Sequence, residues 1–208
     1  KAENAGDLEQ LRGFEGLAAR EYFGVFRFNL QAEWAEFKTR SKNPPRTNVN
    51  AVLSFLYTLL MYRVESAIES QGLDCCCGNL HAANYGKSAL VFDLLEEFRS
   101  PICDSVCCSL FNLGTLKPDD FEKKEFSAES DEYPLDKEDC NDESGAEENT
   151  DSYSMDGILL TKKGIKKVIS AFEAKMNSLI LYSPTGQRIS YSKIIYHQAQ
   201  HYKRVINE

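Results

Sequence analysis

The chain has 208 residues, of which 42% are hydrophobic and 27% are charged. This length allows one domain of ordinary size with a buried core, and the composition excludes a collagenous or wholly disordered chain. No signal-peptide pattern opens the sequence, and we expect no membrane span, because no apolar run approaches the roughly 20 residues that cross a bilayer. Since the sequence starts at Lys1 rather than Met, we expect a fragment or a processed product.

Charge is distributed unevenly along the chain. Residues 119–156 contain 16 acidic and 3 basic residues, whereas residues 157–208 contain 9 basic and 2 acidic residues. The net charge of −8 therefore averages an acidic insert with a mildly basic body that is suited to a polyanion. Because residues 119–156 have little apolar content, we expect a disordered or mobile insert there.

Helical periodicity dominates the rest of the sequence. Apolar residues recur three or four positions apart, and Asp, Asn, Thr, Gly and Pro mark the ends of these segments. The pattern predicts helices over 7–28, 49–70, 89–98, 102–113, 162–181 and from 190 onward, with Asn48 or Asn50 capping the second helix and a turn at 184–186. The predicted fold class is all-α, a helical bundle with one insertion.

The seven cysteines include three consecutive residues, 75–77, and an adjacent pair, 107–108. They show no CxxC pair of the kind that zinc favours, and their number is odd. We interpret them as reduced thiols that act as small apolar residues in a cytoplasmic protein.

His81 is the histidine most suggestive of chemistry. His197 and His201 lie four apart on the basic final helix, where a solvated surface is the better interpretation. His81, by contrast, lies in a predicted loop, and the acidic residues Asp93, Glu96 and Glu97 follow on the next helix. Their spacings of three and four let these carboxylates project close together. A surface acidic patch explains the spacing equally well.

Glu15 is a second candidate. It is bracketed by Gly13 and Gly16 within a helical pattern, and glycine in a helix costs about 1 kcal/mol relative to alanine. The alternative interpretation is a simple helix kink. One imidazole with two or three carboxylates suits Mg²⁺ or Mn²⁺, and such a site can activate a water or a DNA 3′-hydroxyl.

Four ordered motifs then identify a family resemblance: LRGFEGLAAREYF (11–23), NPPRTNVNAVLSFLYTLL (43–60), GNLHAANYGKSALVFDLLEEFRSPICD (78–104) and LTKKGI with YSPTGQRISYSKIIYHQAQ (160–200). Together they resemble the C-terminal helical domain of the CRISPR-associated spacer integrase, the universal nuclease of CRISPR adaptation. The resemblance covers nearly the whole chain apart from the acidic insert. The family also carries an N-terminal β-rich domain, which is not found in this sequence.

The resemblance implies a catalytic site in which Glu15, His81 and Glu96 bind Mg²⁺ or Mn²⁺, with Asp93 in support. It divides the chain into a helical catalytic core (1–118), the acidic flexible insert (119–156) and basic helices of the same domain (157–208). It makes several cations candidates for DNA phosphate contacts, namely Arg12, Arg20, Arg46, Lys87, Arg99, Lys162, Lys163, Lys166 and Lys167. For each of them, ordinary helix-surface charge is the alternative.

The activity implied is a metal-dependent endonuclease and integrase, in which the 3′-OH of a prespacer attacks the backbone of a CRISPR repeat. Its implied partners are DNA, a second copy of the chain and a second small adaptation protein, without a membrane. Two alternatives stay open: a catalytically inert helical fragment that binds DNA or a partner, and a helical hydrolase of a small phosphorylated substrate. The basic C-terminal segment favours a polyanion over a small molecule.

Overall fold

The computed structural model describes residues 6–81, 88–126 and 155–207. Residues 127–154, which include most of the acidic insert, lie outside the described residues, so the disorder expected there stays a prediction. Short 3₁₀ turns at Arg27–Asn29 and Pro118–Asp120 and a π-helix at Arg99–Asp104 complement the main elements. These elements are α1 (Leu8–Phe26), α2 (Asn48–Ser70), α3 (Ala89–Phe98), α4 (Ser105–Asn112), β1 (Phe121–Phe126), β2 (Met155–Leu160), α5 (Lys162–Asn177), β3 (Leu179–Tyr182), β4 (Gln187–Ser190) and α6 (Tyr191–Asn207).

The predicted all-α class is confirmed, because helices carry the core and the described strands form only two antiparallel pairs. The chain divides into two compact units. The first comprises residues 1–54 and 111–165, and the second comprises residues 55–110 and 166–208.

In the first unit, α1 begins where the sequence predicts. Asp7 caps the helix by accepting a hydrogen bond from the backbone N–H of Gln10 at 2.7 Å. Near the end of α1, the rings of Phe23, Phe26 and Phe37 pack with centroids 5.2 to 6.1 Å apart. This aromatic cluster anchors the C-terminal end of α1, whereas most of the helix is exposed.

The start of α2 differs from the prediction, since neither Asn48 nor Asn50 is the cap. Thr47 fills that role, because its side-chain oxygen accepts the N–H of Asn50 at 3.2 Å. The buried Asn50 amide instead donates to Thr39 O and accepts from the side chain of Arg40 and the backbone N–H of Ser41. An amide offers two donors and an acceptor, so Asn50 ties the preceding loop to the helix.

β1 and β2 pair antiparallel across the predicted insert, with Phe121 opposite Leu160 and Phe126 opposite Met155. Residues 121–126 and 155–156 were included in the insert by composition. The charged run Glu122–Glu125 lies on an exposed strand, and a strand tolerates charges on its solvent face. Both ends of the predicted insert therefore contain strand residues.

In the second unit, α2 supplies the central apolar stripe, with Leu56, Leu60, Val64 and Ile68 all essentially inaccessible to solvent. By length and composition α2 is also apolar enough to cross a membrane, with a mean hydropathy of 1.3, contrary to the expectation that no segment would be. Burial of this stripe inside the protein is typical of the core helix of a globular fold.

Between α3 and α4 the chain forms the π-helix instead of the α-helix predicted from residue 102. Pro101 lies inside it. Proline has no N–H to donate and its ring clashes with the carbonyl four residues earlier, so the regular ladder must widen there. Isolated π segments occur frequently at functional sites.

The C-terminal part of the second unit contains a hairpin that the periodicity did not predict. Residues 179–181, which are predicted to end a helix, belong to β3. This strand pairs with β4, with Leu179 opposite Ser190 and Tyr182 opposite Gln187. The helix ends at Asn177, and residues Leu179–Tyr182 then alternate between exposed and half-buried positions, which is the two-residue period of a strand. The predicted turn at 184–186 is confirmed, with Gly186 at a φ of +66°.

Candidate metal centre

The loop that carries His81 is held by one carboxylate, that of Asp93 on α3. Asp93 accepts hydrogen bonds from the backbone N–H groups of Asn79, Leu80 (3.1 Å) and His81 (3.0 Å). Gly78, just before these residues, approaches α3 so closely that a Cβ there would lie 2.7 Å from the backbone carbon of Ala89. The close approach of Gly78 and the hydrogen bonds to Asp93 therefore hold the loop against α3.

Asp93 also orients the imidazole of His81. Its Oδ1 lies 2.7 Å from His81 Nδ1, and both side chains are about nine-tenths buried. Because an ionised carboxylate can only accept, Nδ1 carries the proton and Nε2 is the acceptor of the neutral ring. Histidines that bind metals are commonly oriented by a carboxylate in this way.

The pKa of Asp93 supports an ionised carboxylate. Burial raises the pKa, but hydrogen bonds from the His81 ring and from the amides of residues 81, 79 and 80 outweigh it and lower the pKa below the usual value. Since all of these bonds go to the charged form, they favour ionisation. Asp93 is thus engaged on both oxygens with the loop and the ring, which is the arrangement of a positioning residue.

Glu96 follows Asp93 by three residues and shares its face of α3. One of its carboxylate oxygens lies within 4.8 Å of a ring nitrogen of His81. Its Oε1 is 2.6 Å from Nη1 of Arg99. Glu97, the other acidic neighbour in the sequence, is exposed and accepts a hydrogen bond from Gln198 on α6. The structure therefore places Asp93 and Glu96, but not Glu97, beside the histidine.

The remaining predicted ligand, Glu15, lies half-buried in the middle of α1, in the first unit. The helix is continuous through Gly13 and Gly16, and a Cβ on either glycine would meet no atom within 4 Å. The glycines are thus not required by a close approach of another element. The role of Glu15 as a ligand stays a prediction.

A ring nitrogen next to a carboxylate oxygen is a donor set that Mn²⁺ and Mg²⁺ both accept. The imidazole favours manganese over calcium, and the carboxylate supplies the negative charge that a divalent cation needs. The side chains of His81 and Glu96 in the second unit therefore fit two ligands of such an ion.

The predicted DNA contacts are spread over both units. Lys162, Lys163 and Lys166 are exposed on the first turns of α5, and Arg20 and Arg46 are exposed as well. Arg12 and Lys167 are half-buried, and Lys87 lies outside the described residues. Arg99 is engaged with Glu96. Contact of each of these residues with DNA stays a prediction.

Sequence reasoning missed Tyr57 and Asp104, which support this part of the site. The hydroxyl of Tyr57 donates to Asp104 Oδ1 at 2.7 Å, and the guanidinium carbon of Arg99 lies 5.2 Å from the centroid of the Tyr57 ring. Pro101 between two helical patterns was the available signal, because it indicates irregular helix geometry at that point.

Solved structures with a similar fold include a CAS1 protein, a casposase and a Cas6-RT-Cas1–Cas2 complex. A CAS1 protein from Thermotoga maritima superposes with a TM-score of 0.73 at 21% identity, covering 95% of this chain and 52% of that one. A casposase bound to its integration product gives a TM-score of 0.72 at 24% identity over 93% of this chain and 46% of its own. A chain of a partial Cas6-RT-Cas1–Cas2 complex gives a TM-score of 0.75 at 24% identity, covering 99% of this chain and 52% of that one.

Sequence comparison agrees with the fold. Residues 1–132 match the model of the family described as CRISPR associated protein Cas1, and the chain belongs to this family. It is 36% identical over 200 residues, 96% of its length, to the CRISPR-associated endonuclease Cas1 3 of Thermus thermophilus. It is 43% identical over 130 residues, 62% of its length, to the CRISPR-associated endonuclease Cas1 1 of Chlorobaculum tepidum. The chain spans 51% and 38% of those two relatives.

Proposed function

We propose that this chain is the catalytic part of a metal-dependent DNA endonuclease and integrase of CRISPR adaptation. It inserts new spacers into a CRISPR array by transesterification, with the 3′-OH of a prespacer attacking the backbone of the repeat. The observation that carries this proposal is the assembly of His81, Asp93 and Glu96 on a Cas1 fold.

Glu15, His81 and Glu96 bind the ion, which is Mg²⁺ or Mn²⁺. A bound ion would supply Lewis-acid chemistry, which lowers the pKa of an attacking hydroxyl and offsets negative charge on a phosphate. His81 contributes Nε2, which its bond to Asp93 leaves as the acceptor. Glu96 and Glu15 would contribute carboxylate oxygens, whose negative charge offsets the charge of the cation.

The basic helices hold the polyanion. Lys162, Lys163 and Lys166 form an exposed cationic group on the first turns of α5, and phosphate contacts of this kind position a duplex without reading its sequence. The partners in this proposal are prespacer and repeat DNA, a second copy of the chain and a second small adaptation protein. The neighbours among the solved structures include a Cas1–Cas2 complex and a casposase with its integration product, which supports such partners.

Manganese-dependent cleavage and strand transfer on a branched DNA test the proposal. Wild type should act only with the metal, His81→Ala should lose activity, and His201→Ala should keep it. His201 is the matched control, because it is an exposed histidine on α6 that belongs to the basic surface. Activity that survives in His81→Ala contradicts the proposal. Intact DNA binding without cleavage in the wild type as well as in the variants would favour the inert binding fragment instead.

A further inference from the structure

Arg99 has a defined place between two groups of the second unit. Its Nη1 lies 2.6 Å from Oε1 of Glu96, and its guanidinium carbon lies 5.2 Å from the centroid of the Tyr57 ring. The Arg99 side chain is 21% exposed, against 48% for Arg63, which pairs with Glu173 on the surface of the same unit. A planar guanidinium can bind a carboxylate and stack on a ring at once, whereas an ammonium cannot do both.

The ring under Arg99 is itself fixed. The Tyr57 hydroxyl donates to Asp104, a carboxylate that is only 4% exposed. Asp104 is the last residue of the π-helix whose first residue is Arg99. The π-helix therefore carries at one end the arginine that pairs with Glu96, and at the other the carboxylate that holds the ring beneath that arginine.

We propose that Arg99 is a positioning residue for Glu96: it holds Oε1 so that Oε2 is presented to the metal beside His81. This inference rests on the proposed function, because it assigns a task to Arg99 within the same metal site. A glutamate has three rotatable side-chain bonds, and holding one oxygen in place selects among its rotamers before the ion arrives. The role differs from the phosphate contact that the family resemblance implied for Arg99.

Charge and geometry predict opposite effects of removing Arg99. A cation near the ion repels it, so a purely electrostatic role would make Mn²⁺ bind more tightly without Arg99. A positioning role makes Mn²⁺ bind more weakly, by about 10-fold, since partners that orient a metal ligand typically contribute 10- to 100-fold in affinity. A phosphate contact would leave Mn²⁺ affinity unchanged and would reduce the salt dependence of DNA binding.

The test measures Mn²⁺ affinity by calorimetry on the full chain, and DNA affinity across a salt series, for Arg99→Gln, Arg99→Lys and Arg63→Gln. Arg63→Gln is the matched control because it removes an arginine–glutamate pair of the same unit away from the site. We expect both Arg99 variants to bind Mn²⁺ about 10-fold more weakly and to keep the wild-type salt slope, and Arg63→Gln to bind Mn²⁺ as wild type does. Circular dichroism confirms that the helices remain.

Two substitutions of Tyr57 distinguish the contribution of its ring from that of its hydroxyl. Tyr57→Phe keeps the surface on which Arg99 stacks, so its Mn²⁺ affinity should fall less than that of Tyr57→Leu, which removes it. Unchanged or tighter Mn²⁺ binding in Arg99→Gln overturns the inference while leaving the proposed metal site intact. Full restoration by Arg99→Lys overturns the stacking geometry, and no Mn²⁺ binding in the wild-type chain overturns both the inference and the proposed function.

Discussion

Two regions of the molecule use charge in opposite ways. The first runs from the His81 loop to the end of the π-helix, and the second consists of the basic helices α5 and α6. In the first, His81, Asp93, Glu96 and Arg99 face one another in a half-buried cluster, each with a partner of complementary charge or hydrogen-bonding character. In the second, most lysines point into solvent from helices whose apolar faces are buried. Charged side chains therefore hold one another in place in the first region and form a surface potential in the second.

This difference determines how the two regions respond to mutation. Residues that share hydrogen bonds and ion pairs act as a unit, so removing one displaces the others and the effects are large and not additive. Solvated cations act nearly independently, and each contributes a modest increment to polyanion binding that salt screens.

Among the residues that are not themselves proposed ligands, the largest effect should come from Asp93→Ala. This change removes the acceptor of three backbone N–H groups and of the His81 ring, so both the loop and the tautomer lose their support. We expect Mn²⁺ affinity to fall by about 10- to 100-fold and strand cleavage to fall with it. The Mn²⁺ affinity of Asp93→Asn should lie between those of the wild type and Asp93→Ala, because the asparagine amide keeps one acceptor oxygen but cannot accept hydrogen bonds on both sides.

Glu97→Gln is the control for that experiment. It lies four residues beyond Asp93 on α3, but it faces solvent and bonds Gln198. It should keep wild-type affinity for Mn²⁺. An equal loss in Glu97→Gln and Asp93→Ala would mean that the general negative charge of α3, and not the positioning by Asp93, attracts the ion.

A smaller effect should follow from the triple change of Lys162, Lys163 and Lys166 to Gln. DNA affinity should fall and the slope of log affinity against log salt should become less steep by about 2 to 3, because each lysine that contacts a phosphate releases about one counterion. Mn²⁺ affinity should not change. A fall in Mn²⁺ affinity, with the salt slope unaltered, would contradict the separation of the two regions.

The smallest effect concerns stability at acid pH. The pKa of Asp93 is lowered from its usual value of 3.8 in the folded chain, so its carboxylate contributes stability that is complete above that value and is lost as pH falls through the folded pKa. The destabilisation caused by Asp93→Asn should therefore be larger at about pH 6 than at about pH 3. Urea unfolding at both pH values checks this, and an equal destabilisation at both would contradict the cause assigned to the shift.

The sequence predicted the long amphipathic helices well, because burial of one face imposes the period that reveals them. It placed His81, Asp93 and Glu96 together on the strength of their spacing and the family resemblance. The resemblance implied a supporting role for Asp93, but the sequence did not show how Asp93 provides that support, since the number of N–H groups aimed at a carboxylate depends on the loop and not on the helix. The β3–β4 hairpin was missed because the apolar residues of the four-residue strand β3 continue the apolar pattern of α5.

The proposed metal site requires His81 and Glu96 to bind one divalent ion together with Glu15. The most direct test is the stoichiometry of Mn²⁺ binding, measured by electron paramagnetic resonance on the full wild-type chain and on Glu15→Ala, His81→Ala and Glu96→Ala. We predict one tightly bound Mn²⁺ per chain in the wild type and its loss in each variant whose helical signal is retained. Tight Mn²⁺ binding that survives in His81→Ala or Glu96→Ala would contradict the site, and survival in Glu15→Ala alone would remove Glu15 from it.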